Sequence, residues 1–303
     1  MRSLVALSLI AALGCGRAGT VARGSVSVLL ATKPAPRHDD PALRPDVRLS
    51  VHWVGHATTI VQLDDRLIAT DPAVTPTVGV LAKRLVAPGV AAADFPALDL
   101  VIVSHVHFDH LSYASLEALE PKIPLLALQE GGLAYLPEFE FDAVETPHWA
   151  GFDHRGMRVT AVPARHGGWR YGFDASARAS GGWVIERNGV SVYFAGDTGY
   201  DDELFRNIRA RWPALDVALL PIAPMEPRGF VWPRHMNPAD ALQALSDLGA
   251  KVMIPIHYDT FINSLDRPGE APDALRRERD RLKIPEGRAP ILQIGERRVL
   301  LAR

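Results

Sequence analysis

Apolar and polar positions alternate along "VRLSVHWVGHATTIVQLDDRLIATD" (47–71), and Asp64-Asp65 interrupts them where a turn belongs. The pattern predicts a pair of strands. "LDLVIVSH" (98–105), "LDVALLPI" (215–222) and "KVMIPIHY" (251–258) are short apolar runs of the buried-strand type. In "GGWVIERNGVSVYFAGD" (181–197), Asn188-Gly189 separates two such runs, the favoured chemistry of a two-residue hairpin turn. Helical spacing takes over in "DDELFRNIRARW", where Leu204, Phe205, Ile208 and Trp212 share a face. "NPADALQALSDLGA" opens with Asn237 as cap and Pro238 in the first turn, and stops at Gly249. Strands come first, then strands alternate with helices, twice over. That order predicts a layered α/β (α+β) domain with two sheets.

The same pattern divides the chain. Residues 16–48 include "KPAPRHDDPALRPD", rich in proline and charge and without apolar period, which reads as a tether ahead of a folded domain at 49–303. Before it, "MRSLVALSLIAALGC" (1–15) has Arg2 at its start, an apolar run too short to span a bilayer, and Gly14 before Cys15. This is the layout of a secretory signal. A cysteine directly after it resembles a bacterial lipobox, although Ala12 and Leu13 depart from the preferred residues. The resemblance implies lipidation of Cys15, export across the inner membrane of a bacterium, and anchoring at the envelope, facing periplasm or exterior. The alternative is an ordinary cleaved signal with an incidental cysteine.

Composition changes little. Of 303 residues, 48% are hydrophobic and 22% charged, with a net charge of −2, so nothing draws in a nucleic acid. The single cysteine rules out a disulfide within the chain and a thiolate at any metal in the folded domain.

One stretch does change the picture. "SHVHFDHL" (104–111) crowds three of eleven histidines and an aspartate into six residues. His105 and His107, two apart in an extended segment, point the same way. Asp109 and His110 follow where the chain turns toward the helix expected in "SYASLEALE". Two ligand pairs so close suit two metals side by side. Buried without metal they would be a costly polar knot. Further ligands are available after other strands: His166 in "PARHGGW", Asp197 in "FAGDTGY" and His257 in "IPIHYDT". With imidazole and carboxylate ligands only, two divalent cations are expected, with Zn first and Mn or Fe admissible. A pair about 3.5–4 Å apart clamps a substrate oxygen and acidifies a shared water. His38, His52, His148 and His154 read as surface or satisfied polar residues.

"HVHFDH" resembles the HxHxDH signature of the metallo-β-lactamase fold, a four-layer αββα sandwich of hydrolases. In order, "WVGHATTIVQL", "ATDPAV", "VSHVHFDHL", "FAGDTGY", "IAPMEPR", "RHMNPADAL" and "IHYDTF" resemble the N-acylphosphatidylethanolamine-hydrolysing phospholipase D branch, over about residues 49–275. The resemblance implies His105, His107 and His166 on one metal, Asp109, His110 and His257 on the other, and Asp197 bridging. It implies catalytic roles for Asp109 and for His235, placed to act on the scissile phosphate or leaving group. His56 and Asp71 read as loop-fixing residues behind the ligands. Relatives are often homodimers.

Departures fall on loops expected to border the pocket. His166-Gly167-Gly168-Trp169 replaces the family's His-Trp, Tyr258 replaces a tryptophan, and Asp259 replaces a glycine. Phe230, Val231 and Trp232 suit either an apolar pocket mouth or the core. The expected activity is phosphodiester hydrolysis on a phospholipid or related amphiphile. The rivals are a lactonase of the same fold, a less favoured β-lactam hydrolase, and a non-catalytic metal-binding envelope lipoprotein.

Overall fold

The computed structural model describes residues 31–36, 41–79, 82–171, 179–262 and 264–303. The signal segment with Cys15, much of the tether and His38 lie outside the described residues. Where the tether is described, Lys33 exchanges main-chain hydrogen bonds with Leu85 and Ala87, at 2.9 and 2.8 Å.

Two sheets face each other. The first runs, edge to edge, through Arg297–Ala302, Val47–Gly55, Thr58–Leu63, Arg66–Thr70, Leu100–Ile102, Leu125–Gln129 and Asp142–Thr146. The second runs through Val252–Ile256, Val217–Pro221, Val190–Phe194, Gly181–Arg187, Met157–Pro163 and Gly151–His154. Strand alternation sorts side chains between two cores. Leu49, Val51, Trp53, Val61, Leu63, Ile68, Leu100 and Ile102 point inward against Val159, Trp183, Ile185 and Val192 of the second sheet. Ile60, Leu67, Ala69 and Val101 point outward, beneath Leu116 and Leu119 of the helix Tyr113–Leu119. The second sheet is covered outside by the helices Asp202–Arg211 and Pro238–Leu248, whose Phe205, Ile208, Leu242 and Leu245 are buried. The result is the expected four-layer αββα sandwich. Trp183 ties its halves together, its indole N–H donating to Val103 O at 3.0 Å.

The long amphipathic run at 47–71 holds three strands where two are expected. Gly55 (φ 121°) and His56 (φ 56°) turn the chain before Thr58, and Gly55 pairs with Thr58 across that turn. Alternation continues through the turn, so periodicity alone does not mark it. The Asn188-Gly189 hairpin forms as expected, with Arg187 opposite Val190. Asn237 caps its helix through a reciprocal box with Asp240, and Gly249 ends it in the left-handed conformation.

At the ligand-bearing rim the two sheets come very close. Gly196 has φ 60°, and a Cβ there would lie 2.3 Å from Ser104 Cβ. Gly196→Ala is expected to destabilise the metal-free protein by about 2–5 kcal/mol, the sum of left-handed strain and overpacking. Urea unfolding measures this, and a loss of well under about 1 kcal/mol would mean the two rims have room to part.

Candidate metal centre

The polar clusters gather at one rim because most of their residues follow strands. Asp71 follows Arg66–Thr70, His105 follows Leu100–Ile102, Asp197 follows Val190–Phe194, and His257 follows Val252–Ile256. The sandwich therefore supplies a rigid base from both sheets. His56, Asp71 and His257 carry left-handed backbone, with φ of 56°, 34° and 66°. Such strain, of order 1–3 kcal/mol each, persists only where surrounding bonds fix the conformation. Here His257 N donates to His56 O at 2.9 Å, and His56 N donates to Thr260 Oγ1 at 2.6 Å.

Three imidazoles meet at one point. His107 Nδ1 lies 2.9 Å from His105 Nε2 and 3.3 Å from His166 Nε2. His166 Nδ1 stands 3.0 Å from Arg234 O and donates to it, since a carbonyl only accepts; in the neutral ring this leaves a lone pair on Nε2. Ser104 Oγ reaches Asp71 Oδ2 at 2.6 Å and His105 Nδ1 at 2.9 Å. With the hydroxyl proton given to the carboxylate, His105 Nδ1–H donates to Ser104 and its Nε2 also presents a lone pair.

Beside it lies a second group. His56, Asp109, His110 and His257 offer ligand atoms within 4.8 Å of one another. Asp109 Oδ2 is 3.0 Å from His56 Nε2, 3.7 Å from His110 Nε2 and 3.9 Å from His257 Nε2. His257 Nδ1 donates to Ala223 O at 3.0 Å, and His110 Nδ1 meets Asp71 Oδ2 at 2.6 Å. Asp197 stands between the groups. Its Oδ1 is 3.1 Å from His257 Nε2, and its Oδ2 is 3.4 Å from His110 Nε2 and 3.9 Å from His105 Nε2.

This donor set fits metal. Asp197 Oδ1 is buried without a hydrogen bond although His257 Nε2 is 3.1 Å away; a neutral His257 ring that donates from Nδ1 to Ala223 O turns a lone pair toward it. Lone pair facing lone pair is repulsive unless a proton or a cation sits between. The outer nitrogens are held by Asp71, Ser104, Arg234 and Ala223, the arrangement that orients metal-binding imidazoles.

Electrostatics agree. Burial, reinforced by neighbouring imidazoles, lowers His56 and His107 to about 3 and holds His105 well below the ordinary histidine value. Burial also lowers His166 and His235 against the pull of Asp197. His110 is the exception: burial disfavours its cation, but Asp197, Asp109 and Asp71 outweigh it and hold it well above. Burial would raise Asp109 and Asp197; the surrounding imidazoles, led by His110 for Asp109 and His257 for Asp197, hold both well below. Without metal, His110 carries the proton that joins the carboxylates.

The remaining expected residues divide. His235 Nδ1 is 3.7 Å from Asp197 Oδ2, at the centre. Asp71 and His56 stand behind the ligands, and His56 is close enough to Asp109 to share its carboxylate. Ser104 carries no sequence signal beyond its place before His105. Phe108, Trp169, Phe230 and Trp232 are exposed, whereas Val231 is buried. Trp169 lies 4.8 Å from the His107 ring. Tyr258 departs from expectation: it packs on Trp53 at 4.3 Å and donates to Leu292 O, inside the core. Asp259, in a glycine's place, keeps a left-handed φ of 52° and accepts from Gly269 N at 2.8 Å. His148 and His154 reach the carbonyls of Ser180 and Asp99, both at 2.9 Å.

Comparison with known proteins identifies the family. The model of the beta-lactamase superfamily domain matches residues 66–258. An uncharacterized protein of Mycobacterium tuberculosis (strain H37Rv) is 32% identical over 259 residues, covering 80% of this chain and 66% of the relative. The N-acyl-phosphatidylethanolamine-hydrolyzing phospholipase D 1 of Caenorhabditis elegans is 29% identical over 225 residues, or 69% of this chain and 63% of that protein. The chain thus spans slightly under two thirds of these relatives. A UPF0173 metal-dependent hydrolase of Methanoregula boonei is 33% identical over 69% of this chain and 82% of its own length. Among solved structures, a metallo hydrolase of Ignicoccus hospitalis shares the fold with a TM-score of 0.64, at 23% identity over 82% of this chain and 97% of its own. The chain belongs to the beta-lactamase superfamily and has the metallo-β-lactamase fold.

Proposed function

We propose that this protein is a metal-dependent hydrolase that cleaves phosphodiesters in the manner of phospholipase D, on a phospholipid or related amphiphile, with two divalent ions, Zn first among them. The observation that carries the reading is the pair of ligand groups meeting at Asp197 with His235 beside it. His105, His107 and His166 would hold one ion, Asp109, His110 and His257 the other, with Asp197 shared. Bound cations would supply Lewis acidity to a phosphoryl oxygen and bring the pKa of water near neutrality. His235, held neutral by burial, offers a hydrogen bond to the phosphoryl or leaving-group oxygen. The exposed Phe230 and Trp232 give the opening an apolar side suited to acyl chains. The name of the C. elegans relative supports the phosphodiester over other esters. Lipidation at Cys15 would keep the enzyme at the envelope, near such substrates.

The test is a side-by-side assay on a phospholipid phosphodiester, a sugar-phosphate lactone and a β-lactam, with and without a chelator. Phosphodiester turnover that stops on chelation and returns with added metal is expected. Lactone turnover alone would replace this reading with the lactonase. His235→Ala is expected to lower kcat about 10²–10⁴-fold with metal content unchanged. Full activity in that variant would remove His235 from the chemistry.

Proton balance gives a second test. In an unfolded chain these histidines titrate near 6.5. The lowered group, His56, His105, His107, His166 and His235, contributes stability that is full above that value and is lost as pH falls toward the folded pKa, about 3 for His56 and His107. Asp109 and Asp197 act in the same direction below about pH 4. His110 opposes them, its contribution being full below 6.5 and lost as pH rises. The five outweigh the one. The urea midpoint of the metal-free protein should therefore fall from pH 7 to pH 5, and metal affinity should fall with it as protons compete. A flat midpoint across that interval would contradict neutral imidazoles.

A further inference from the structure

Four residues beyond His166, one more side chain reaches back to the histidine-rich segment. Arg170 is 4% exposed. Its Nη1 donates to two carbonyls, Val106 O at 2.6 Å and Leu111 O at 2.9 Å. Those carbonyls bracket His107, Phe108, Asp109 and His110. Between them the chain makes a single turn, the amides of His110 and Leu111 both reaching His107 O, at 3.1 and 2.9 Å. Among the described residues, no main-chain N–H reaches either bracketing carbonyl. The guanidinium also lies over two rings, 4.2 Å from the centroid of Phe108 and 4.0 Å from that of Tyr113.

We propose that Arg170 is a positioning residue for the metal centre, stapling the 106–111 turn to the loop that supplies His166. The inference rests on the metal-dependent reading and extends it to a residue that touches no ligand atom. A buried carbonyl needs a donor, and one planar cation serves both ends of the turn. The two rings fix the plane of that cation. Phe108, although 39% exposed, is thereby held between the ligands His107 and Asp109. The ligands of the two loops keep their common geometry only while this connection holds. Lysine in the same place can reach the carbonyls but has no plane to lie over two rings.

The test uses the full chain, stripped of metal and titrated with Co²⁺, following visible absorption and ions bound, with near-ultraviolet circular dichroism to report folding. Arg170→Met is expected to fold and to bind cobalt about 10–100-fold more weakly, with an altered visible spectrum. Arg170→Lys should recover part of that loss. Phe108→Leu, which keeps both hydrogen bonds, should weaken binding about 2–5-fold. A folded Arg170→Met with wild-type affinity and spectrum overturns the proposal. If that variant does not fold, wild-type behaviour in Arg170→Lys overturns it equally, and if neither folds, unchanged cobalt binding in Phe108→Leu does. A wild-type chain that takes up no cobalt would instead sink the metal reading itself.

Discussion

The centre depends on crowding that protons alone do not relieve. Imidazole nitrogens stand 2.9–3.3 Å apart in a pocket where two carboxylates also converge. Each outer nitrogen engaged with a carbonyl or carboxylate directs a lone pair inward, so the inward face has acceptors in excess of donors. Protonation of His110 offsets part of this. A bound metal ion would offset more, and the same excess of acceptors favours positive charge at the site. The lowered pKa values of His56, His105, His107, His166 and His235, and the strained backbone at His56, Asp71 and His257, follow from holding that arrangement in place.

The sandwich makes such crowding affordable. Parallel pairing of Arg66–Thr70 with Leu100–Ile102, of Val190–Phe194 with Val217–Pro221, and of Val217–Pro221 with Val252–Ile256, sends several strand ends to one rim. Ligands mounted on these ends share the stiffness of two cores. Gly196 lets the rims meet, and Trp183 bonds them just below the site. The fold and the centre are thus linked through a few close contacts rather than through the bulk of the core.

Legibility in the sequence followed the range of each interaction. The Asn188-Gly189 hairpin, the Asn237 cap and the HxHxDH segment are local chemistry, and they stand where the sequence places them. The later candidate residues, His166, Asp197 and His257, were legible as candidates because each follows an apolar run. The turn at Gly55-His56 was not, since a hydrophobic period passes through it unbroken. Neither was the bond from Ser104 to Asp71, 33 residues away, nor the reach of Arg170 to Val106 across 64. Tyr258 was misplaced for a related reason: its partner, Trp53, lies on the other sheet, and nothing near either residue announces the stack.

These differences separate two kinds of residue around the centre. Ligands and their supports sit on strand ends or are bonded to them, and they define what the site does to an oxygen at phosphorus or carbon. Phe108, Trp169, Phe230 and Trp232 are exposed side chains within five residues of His107, His166 or His235 in the chain. Phe108 belongs to both groups, being held by Arg170 from beneath and open to solvent. A substitution among the exposed aromatic residues should therefore leave the charge balance at the centre intact, whereas any change that frees the 106–111 turn disturbs it.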